Sequence, residues 1–255
     1  MPSDLIGLVG AVRLAAAGAV APDVALLLGS TRDEDASFVG EQLYWNMTAK
    51  DFEQWAHDLY NFTTEQRAEL TSLYPEFAFP RSAYYSPWWW ATVRAASDQD
   101  MKCPARRGAR WFAAANASVW LYRFVRPRNG SETVPHTAEV PYVWHDLGAV
   151  GPPTGTDADI ELSDELVRYW QSFAAAADPN GNGGGGEQGP AWPRYELGPR
   201  GDVTMQLDVG AGLVPLLESD VANCAWWERH DPCFLHGNAT AAEWRTAAEL
   251  GCGNL

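Results

Sequence analysis

Two apolar runs, each long enough for a strand and too short for a helix, most constrain what this chain can fold into. Residues 23–29 read Asp-Val-Ala-Leu-Leu-Leu-Gly, and residues 119–125 read Val-Trp-Leu-Tyr-Arg-Phe-Val. A continuous apolar run ending in Gly suits a parallel strand covered on both faces. The second run is dense in β-formers. A third segment, Val203 to Asp208, alternates apolar and polar residues and suits an outer strand with one face wet. Helical segments lie between them. Residues 51–73 form two helical pieces, the second opened by a Thr63–Gln66 capping box and stopped by Pro75. Further helices are predicted around Trp88-Trp89-Trp90 and over residues 105–115. Another is capped by Ser163, with Asp164 and Glu165 in a first turn that favours carboxylates. Its Leu166, Trp170 and Phe173 share one face. Residues 126–161 read as loop, and the final stretch as helix. Three strands with helices between them suit the end of an α/β sheet, not a whole one.

Composition narrows the function. With 255 residues, 46% of them hydrophobic, the chain can bury a substantial core, and its 13 tryptophans read as core rather than as a binding groove. A net charge of −15 argues against a nucleic-acid partner, which needs a basic face. No membrane span is expected. The stretch Leu5 to Leu28 is interrupted by Arg13 and Asp23. With Asp4 ahead of it and no positive charge, it also makes a poor signal peptide. The run from Asn180 to Gly186 reads as a flexible loop, because it lacks the Lys and the strand-to-helix setting of a phosphate cradle. No cofactor and no metal site is expected.

The asparagines point to a compartment. Of nine in the chain, five begin an Asn-x-Ser/Thr triplet: Asn46, Asn61, Asn116, Asn129 and Asn238. Chance supplies roughly one such triplet in a chain of this make-up. The excess favours the secretory lumen, cell surface or exterior, where disulfides persist. The four cysteines, at 103, 224, 233 and 252, permit three pairings.

Several strings, in order along the chain, resemble the type-B carboxylesterase and cholinesterase family. Val24 to Glu34 resembles its strand and the N/T-K/R-D-E turn that follows. Ser97-Asp98 with Cys103-Pro104 is similar to its S-D-x-x-x-x-C-P segment, and Tyr122 with Phe124 to its Y-x-F strand. The stretch Val134 to Trp144 is similar to H-x-x-E-x-P-Y-V-F. Tyr169-Trp170 through Phe173, Asp178-Pro179-Asn180 and Trp192-Pro193-Arg194-Tyr195 resemble Y-W-x-x-F-A, D/N-P-N and W-P-x-Y. The resemblance runs over about residues 2–230.

It implies an α/β-hydrolase fold, of which residues 1–255 would be the C-terminal part of a single domain, with an incomplete, mostly parallel sheet and flanking helices. It also implies a Ser-Glu-His triad acting on small-molecule esters, in which Glu34 matches the acid and His136 the base. Glu139 reads as a structural ion-pair partner near the histidine loop. The Cys103–Cys224 bridge follows from the same resemblance, leaving Cys233 with Cys252, a pairing that the family does not supply.

The departures shape the expectation. None of the 12 serines stands in a G-x-S-x-G elbow, and the glycine-rich oxyanion loop is missing. Both would lie upstream of residue 1 in a full-length enzyme, so this chain alone should be inactive. Thr137 stands where the family usually has a small residue such as Gly, and Trp144-His145 replaces its usual Phe-Gly. The competing expectation is a cholinesterase-like adhesion or binding protein that has lost catalysis.

Overall fold

A computed structural model describes residues 23–39, 45–128, 130–148, 155–181, 190–198, 203–209, 212–215 and 218–230. Asn129, Asn238, Cys233 and Cys252 fall outside them, as do most of the Leu5–Leu28 stretch and the glycine run after Gly181. In chain order the elements are strand β1 (Ala25–Thr31), helices α1 (Ala49–Tyr60), α2 (Thr64–Leu73), α3 (Pro87–Ser97) and α4 (Cys103–Ala114), and strand β2 (Ser118–Phe124). Then come α5 (Val140–Val143), α6 (Asp157–Ala176), strands β3 (Val203–Leu207) and β4 (Gly212–Pro215), and α7 (Glu218–His230). The chain divides into two compact units, one holding residues 35–104 and 217–255, the other residues 18–34 and 105–216.

The second unit is built on the sheet. Its order is β1-β2-β3-β4, with β1–β2 and β2–β3 parallel and β3–β4 antiparallel. Strand alternation sends successive side chains to opposite faces. Trp120 and Phe124 of β2 therefore pack with Leu162, Leu166 and Tyr169 of α6. Val119 and Leu121 pack on the other face with Ala109 of α4 and with Leu26 and Leu28 of β1. The two-faced apolar character of the runs has this origin. Among the described residues β1 forms one edge of the sheet.

The first unit is a helical cluster rich in aromatic residues. Phe52, Phe62, Leu70, Trp89, Trp90, Trp226 and Trp227 are all buried in one core. Capping boxes open α1 at Thr48–Asp51 and α2 at Thr63–Gln66, each satisfying two amides that would otherwise lack acceptors. Ser86 caps α3, with Pro87 in the first turn where its missing N–H costs nothing. The expected bridge is present, Cys103 to Cys224 with Cα atoms 5.2 Å apart.

Three local expectations need correction. The helix assigned to Ser163 starts seven residues earlier, at Thr156, where Thr156 and Asp159 form the capping box. Ser163 instead lies buried, its hydroxyl donating to the Tyr142 carbonyl at 2.7 Å. The loop expected over residues 126–161 contains α5 and the start of α6. Strand β3 is not an outer strand, because β4 pairs along it; Gly-Leu-Val-Pro is too short and too poor in β-formers to stand out in sequence.

Candidate active site

Because β1 and β2 run parallel, the segments that follow them emerge at the same carboxyl edge of the sheet. The turn after β1 carries Glu34, and the connection after β2 carries His136. Four hydrogen bonds staple the two segments together. Asp33 N–H donates to the Val134 carbonyl at 2.9 Å, and Val134 N–H donates to Asp33 Oδ2 at 2.8 Å. Arg32 reaches the Glu132 carbonyl, and His136 N–H donates to the Glu34 carbonyl at 3.2 Å. Asp33 is itself fixed by Arg32 Nε at 2.9 Å.

Onto this frame the acid and the imidazole converge. His136 Nδ1 lies 2.7 Å from Glu34 Oε2, across 102 residues of sequence. The other oxygen, Oε1, accepts the Thr31 N–H. Glu34 is buried, whereas the His136 side chain is 43% exposed, so the pair has one fixed member and one that faces outward. Glu34 can only accept here, so Nδ1 carries the proton between them and Nε2 is the nitrogen that can take one from a nucleophile.

Glu139 differs from expectation. Among the described residues it makes no ion pair; its Oε1 accepts from the Tyr122 hydroxyl at 3.1 Å, and its Oε2 is buried without a hydrogen bond to a described residue. Burial, and then the nearby Glu34 charge, push its carboxyl above the usual range. Burial likewise raises the Tyr122 phenol, helped by the adjoining Glu139 charge. Sequence did hold a signal for this contact. Gly29 pairs with Tyr122 across the sheet, and a Cβ added to Gly29 would meet the Tyr122 ring at 2.3 Å. A glycine inside a strand marks such a close approach.

The two departures from the family strings both fall where the backbone is left-handed. Thr137 has φ 67° and His145 has φ 51°, both in the left-handed region that glycine enters without strain. His145 also lies near a serine and an acid, Nδ1 being 3.0 Å from Ser163 Oγ and 3.4 Å from Asp164. Both contacts fall on the same ring nitrogen, and Ser163 is fully buried, so this is no second triad. Deeper in the unit, Asp159 accepts from Arg126 Nε at 2.7 Å and from the Tyr142 hydroxyl at 3.0 Å. Burial alone would raise its pKa, but these bonds and those from Thr156 outweigh it and hold the carboxyl at about 2. Among the described residues no three His, Cys, Asp or Glu side chains are grouped to hold a metal ion.

A parallel sheet covered by helices on both faces, with an acid turn and a histidine loop at its carboxyl edge, defines the α/β-hydrolase class. The solved structure of Aspergillus niger EstA shares the fold, with a TM-score of 0.67 and 23% identity over 86% of this chain and 42% of that one. A sequence model of the carboxylesterase family matches residues 11–212. The chain belongs to the carboxylesterase family. It is 32% identical to an acetylcholinesterase of Gallus gallus over 58% of its own length and 19% of that protein's. It is 28% identical to an inactive carboxylesterase-like protein of Byssochlamys spectabilis, over 66% of this chain and 31% of that one. It is also 28% identical to a secreted lipase of Arthroderma benhamiae, over 62% and 29%. The chain thus spans less than a third of the length of these curated relatives.

Proposed function

We propose that this chain is the C-terminal part of a carboxylic-ester hydrolase domain and supplies the acid and base of a Ser-Glu-His triad. The serine and the oxyanion donors would come from polypeptide outside this sequence. The observation that carries the reading is the 2.7 Å approach of His136 Nδ1 to Glu34. In the reaction, Nε2 of His136 takes the serine proton as the serine oxygen attacks the ester carbonyl. The imidazolium so formed is stabilised by Glu34, then returns its proton to the departing alcohol. Water, activated by the same nitrogen, releases the acid from the acyl-serine. Tyr122 and Glu139 lie beside the pair, the Tyr122 hydroxyl donating to Glu139. The substrate class is small-molecule esters.

Compartment follows the same logic. The Cys103–Cys224 bridge, the five sequons and the secreted lipase among the relatives support a glycoprotein of the secretory lumen or the exterior. The inactive carboxylesterase-like relative keeps a second reading in view, a binding protein without chemistry. Retention of both Glu34 and His136 favours the catalytic one, since a binder has no need of the pair.

The test joins this chain to the segment encoded upstream in its own transcript. The joined protein should hydrolyse a short-chain nitrophenyl ester and take a fluorophosphonate label on a G-x-S-x-G serine; the 255-residue chain alone should do neither. Hydrolysis that persists undiminished in the joined His136→Gln variant would overturn the proposal.

A further inference from the structure

Two strings of the sequence, Asp178-Pro179-Asn180 and Trp192-Pro193-Arg194-Tyr195, have no part in the chemistry proposed above. The fold ties them to each other. Asn180 accepts the Trp192 N–H at 2.7 Å and donates to the Trp192 carbonyl at 2.8 Å, closing a two-way amide clamp. Asp178 Oδ1 accepts both the backbone and the side-chain N–H of Asn180, each at 2.8 Å, which fixes the orientation of the clamp. Trp120 Nε1 donates to the same Trp192 carbonyl at 3.1 Å. Tyr195 N–H donates to the Val119 carbonyl at 2.7 Å, so the second string is pinned to β2 as well.

The two strings enclose a cavity of about 460 Å³, within the size range of small-molecule sites. Trp120 and Trp192 line it and are 1% and 2% exposed, so this wall is packed from behind and preformed. The rings of Tyr122, Tyr169 and Trp170 surround Trp192, with centroids 5.2–6.3 Å from it. Ala191 and Pro193 carry the apolar lining out to an exposed rim. Trp120 stands near the start of β2, whereas His136 follows its end, and no lining residue belongs to the proposed triad.

Two charged residues line the cavity, and they are committed differently. Asp178 spends its Oδ1 on the two Asn180 donors. Arg194 is exposed, with its guanidinium 5.5 Å from the centre of the Trp120 ring. That cation–π contact positions the group but gives its N–H donors no acceptor. Among the described residues Arg194 makes no hydrogen bond and no ion pair. The guanidinium fork matches a carboxylate through two parallel hydrogen bonds. Arg194 also fills the open position of the W-P-x-Y string, so this charge belongs to the particular chain and not to the string.

We propose that the cavity binds a small aryl carboxylate, its ring against Trp120, Trp192 and Pro193 and its carboxylate on Arg194. Binding is non-covalent and does not depend on the triad reading. An organic cation is disfavoured, because Arg194 repels it and Asp178 already answers to Asn180.

The experiment measures naphthoate, naphthamide and naphthylmethylammonium by ligand-detected NMR, on the full-length protein made in its own host. The three probes share a ring system and differ in charge. Naphthoate should bind at least about tenfold more tightly than the other two, as a charge-assisted hydrogen bond provides. Arg194→Gln changes an exposed side chain and should weaken naphthoate by roughly 10–100-fold while leaving naphthamide within about twofold of the parent. Ala191→Trp fills the rim and should block the acid and the amide alike, which places both in this cavity. Equal affinity for acid and amide, tighter binding of the ammonium, or no naphthoate binding at millimolar concentration would overturn the proposal. So would naphthoate binding that survives undiminished in either variant.

Discussion

Glu34 and Asp98 are both carboxylates almost wholly removed from solvent, at 5% and 3% exposure, one in each unit of the chain. Their surroundings differ in kind. Asp98 accepts the Tyr74 hydroxyl at 2.7 Å and the Asn223 amide at 3.3 Å on one oxygen, and the Lys102 ammonium at 2.5 Å on the other. Trp227 Nε1 donates in turn to the Tyr74 hydroxyl at 3.0 Å. Every donor there is itself buried or nearly so, and the network ties α2, the turn before α4, and α7 together. Glu34 has the Thr31 amide and one imidazole that looks outward. A carboxylate saturated by buried donors is a brace. A carboxylate whose charge is aimed at one half-exposed base can stabilise a proton arriving at that base.

If this contrast is right, the two sites should fail differently. The largest effect is expected in the joined protein, where Glu34→Gln and His136→Gln should each lower kcat by about 10,000-fold, as loss of a triad's acid or base does. Their melting temperatures should stay close to that of the parent. A loss of fold matching the loss of activity would erase the distinction. Next, Asp98→Ala removes the buried acceptor shared by Lys102, Tyr74 and Asn223, and should cost about 3–5 kcal/mol of stability. Denaturant unfolding measures this directly. A cost below about 1 kcal/mol, typical of an exposed ion pair, would mean Asp98 is no brace.

Asp159 sharpens the comparison from within the unit that holds Glu34. Its carboxyl sits at about 2 in the folded chain against an ordinary 3.8. A depressed acid stabilises the fold fully above its unfolded pKa and loses that contribution as pH falls through the folded value. About 2 kcal/mol should therefore vanish between roughly pH 4 and pH 2. Asp159→Asn should be weaker at neutral pH and flatter over that window, and parallel curves for the two proteins would refute the assignment. The smallest effect concerns Thr137. Relieving a β-branched residue at φ 67° should outweigh the added chain entropy of glycine, so Thr137→Gly should stabilise by about 1 kcal/mol. A lower melting temperature for Thr137→Gly would show that the hydroxyl, which donates to the His136 carbonyl at 2.6 Å, matters more than the strain.

Local rules made much of this fold readable. The apolar runs became β1 and β2 because both of their faces are covered, and Thr63–Gln66 opens α2 because a capping box is satisfied by neighbours in sequence. The failures came where a distant partner decided the outcome. Ser163 looks like a cap by composition, yet its hydroxyl is taken by Tyr142, 21 residues earlier. Thr156 and Asp159 show the same cap pattern seven residues upstream and win the helix start. Glu139 looked like an ion-pair partner because His136 is near in sequence, but the phenol that reaches it comes from β2, 17 residues earlier. Glu34 and His136 stood out only through the order of the strings around them, since nothing local relates residues 102 apart.

The bridge between Cys103 and Cys224 has a consequence for how the chain is made. Its two thiols are separated by 121 residues. At a synthesis rate of about 5–20 residues per second, Cys103 waits roughly 6–24 s for its partner to emerge. During that interval it is an unpaired thiol in a half-made chain, open to mixed disulfides with other proteins. The aromatic core that closes around it cannot be complete either, because Trp226 and Trp227 arrive with the second cysteine. Maturation of the helical unit therefore waits until residues 224–227 have been made, and helper proteins that shield thiols and aromatic surface in that window should govern its yield.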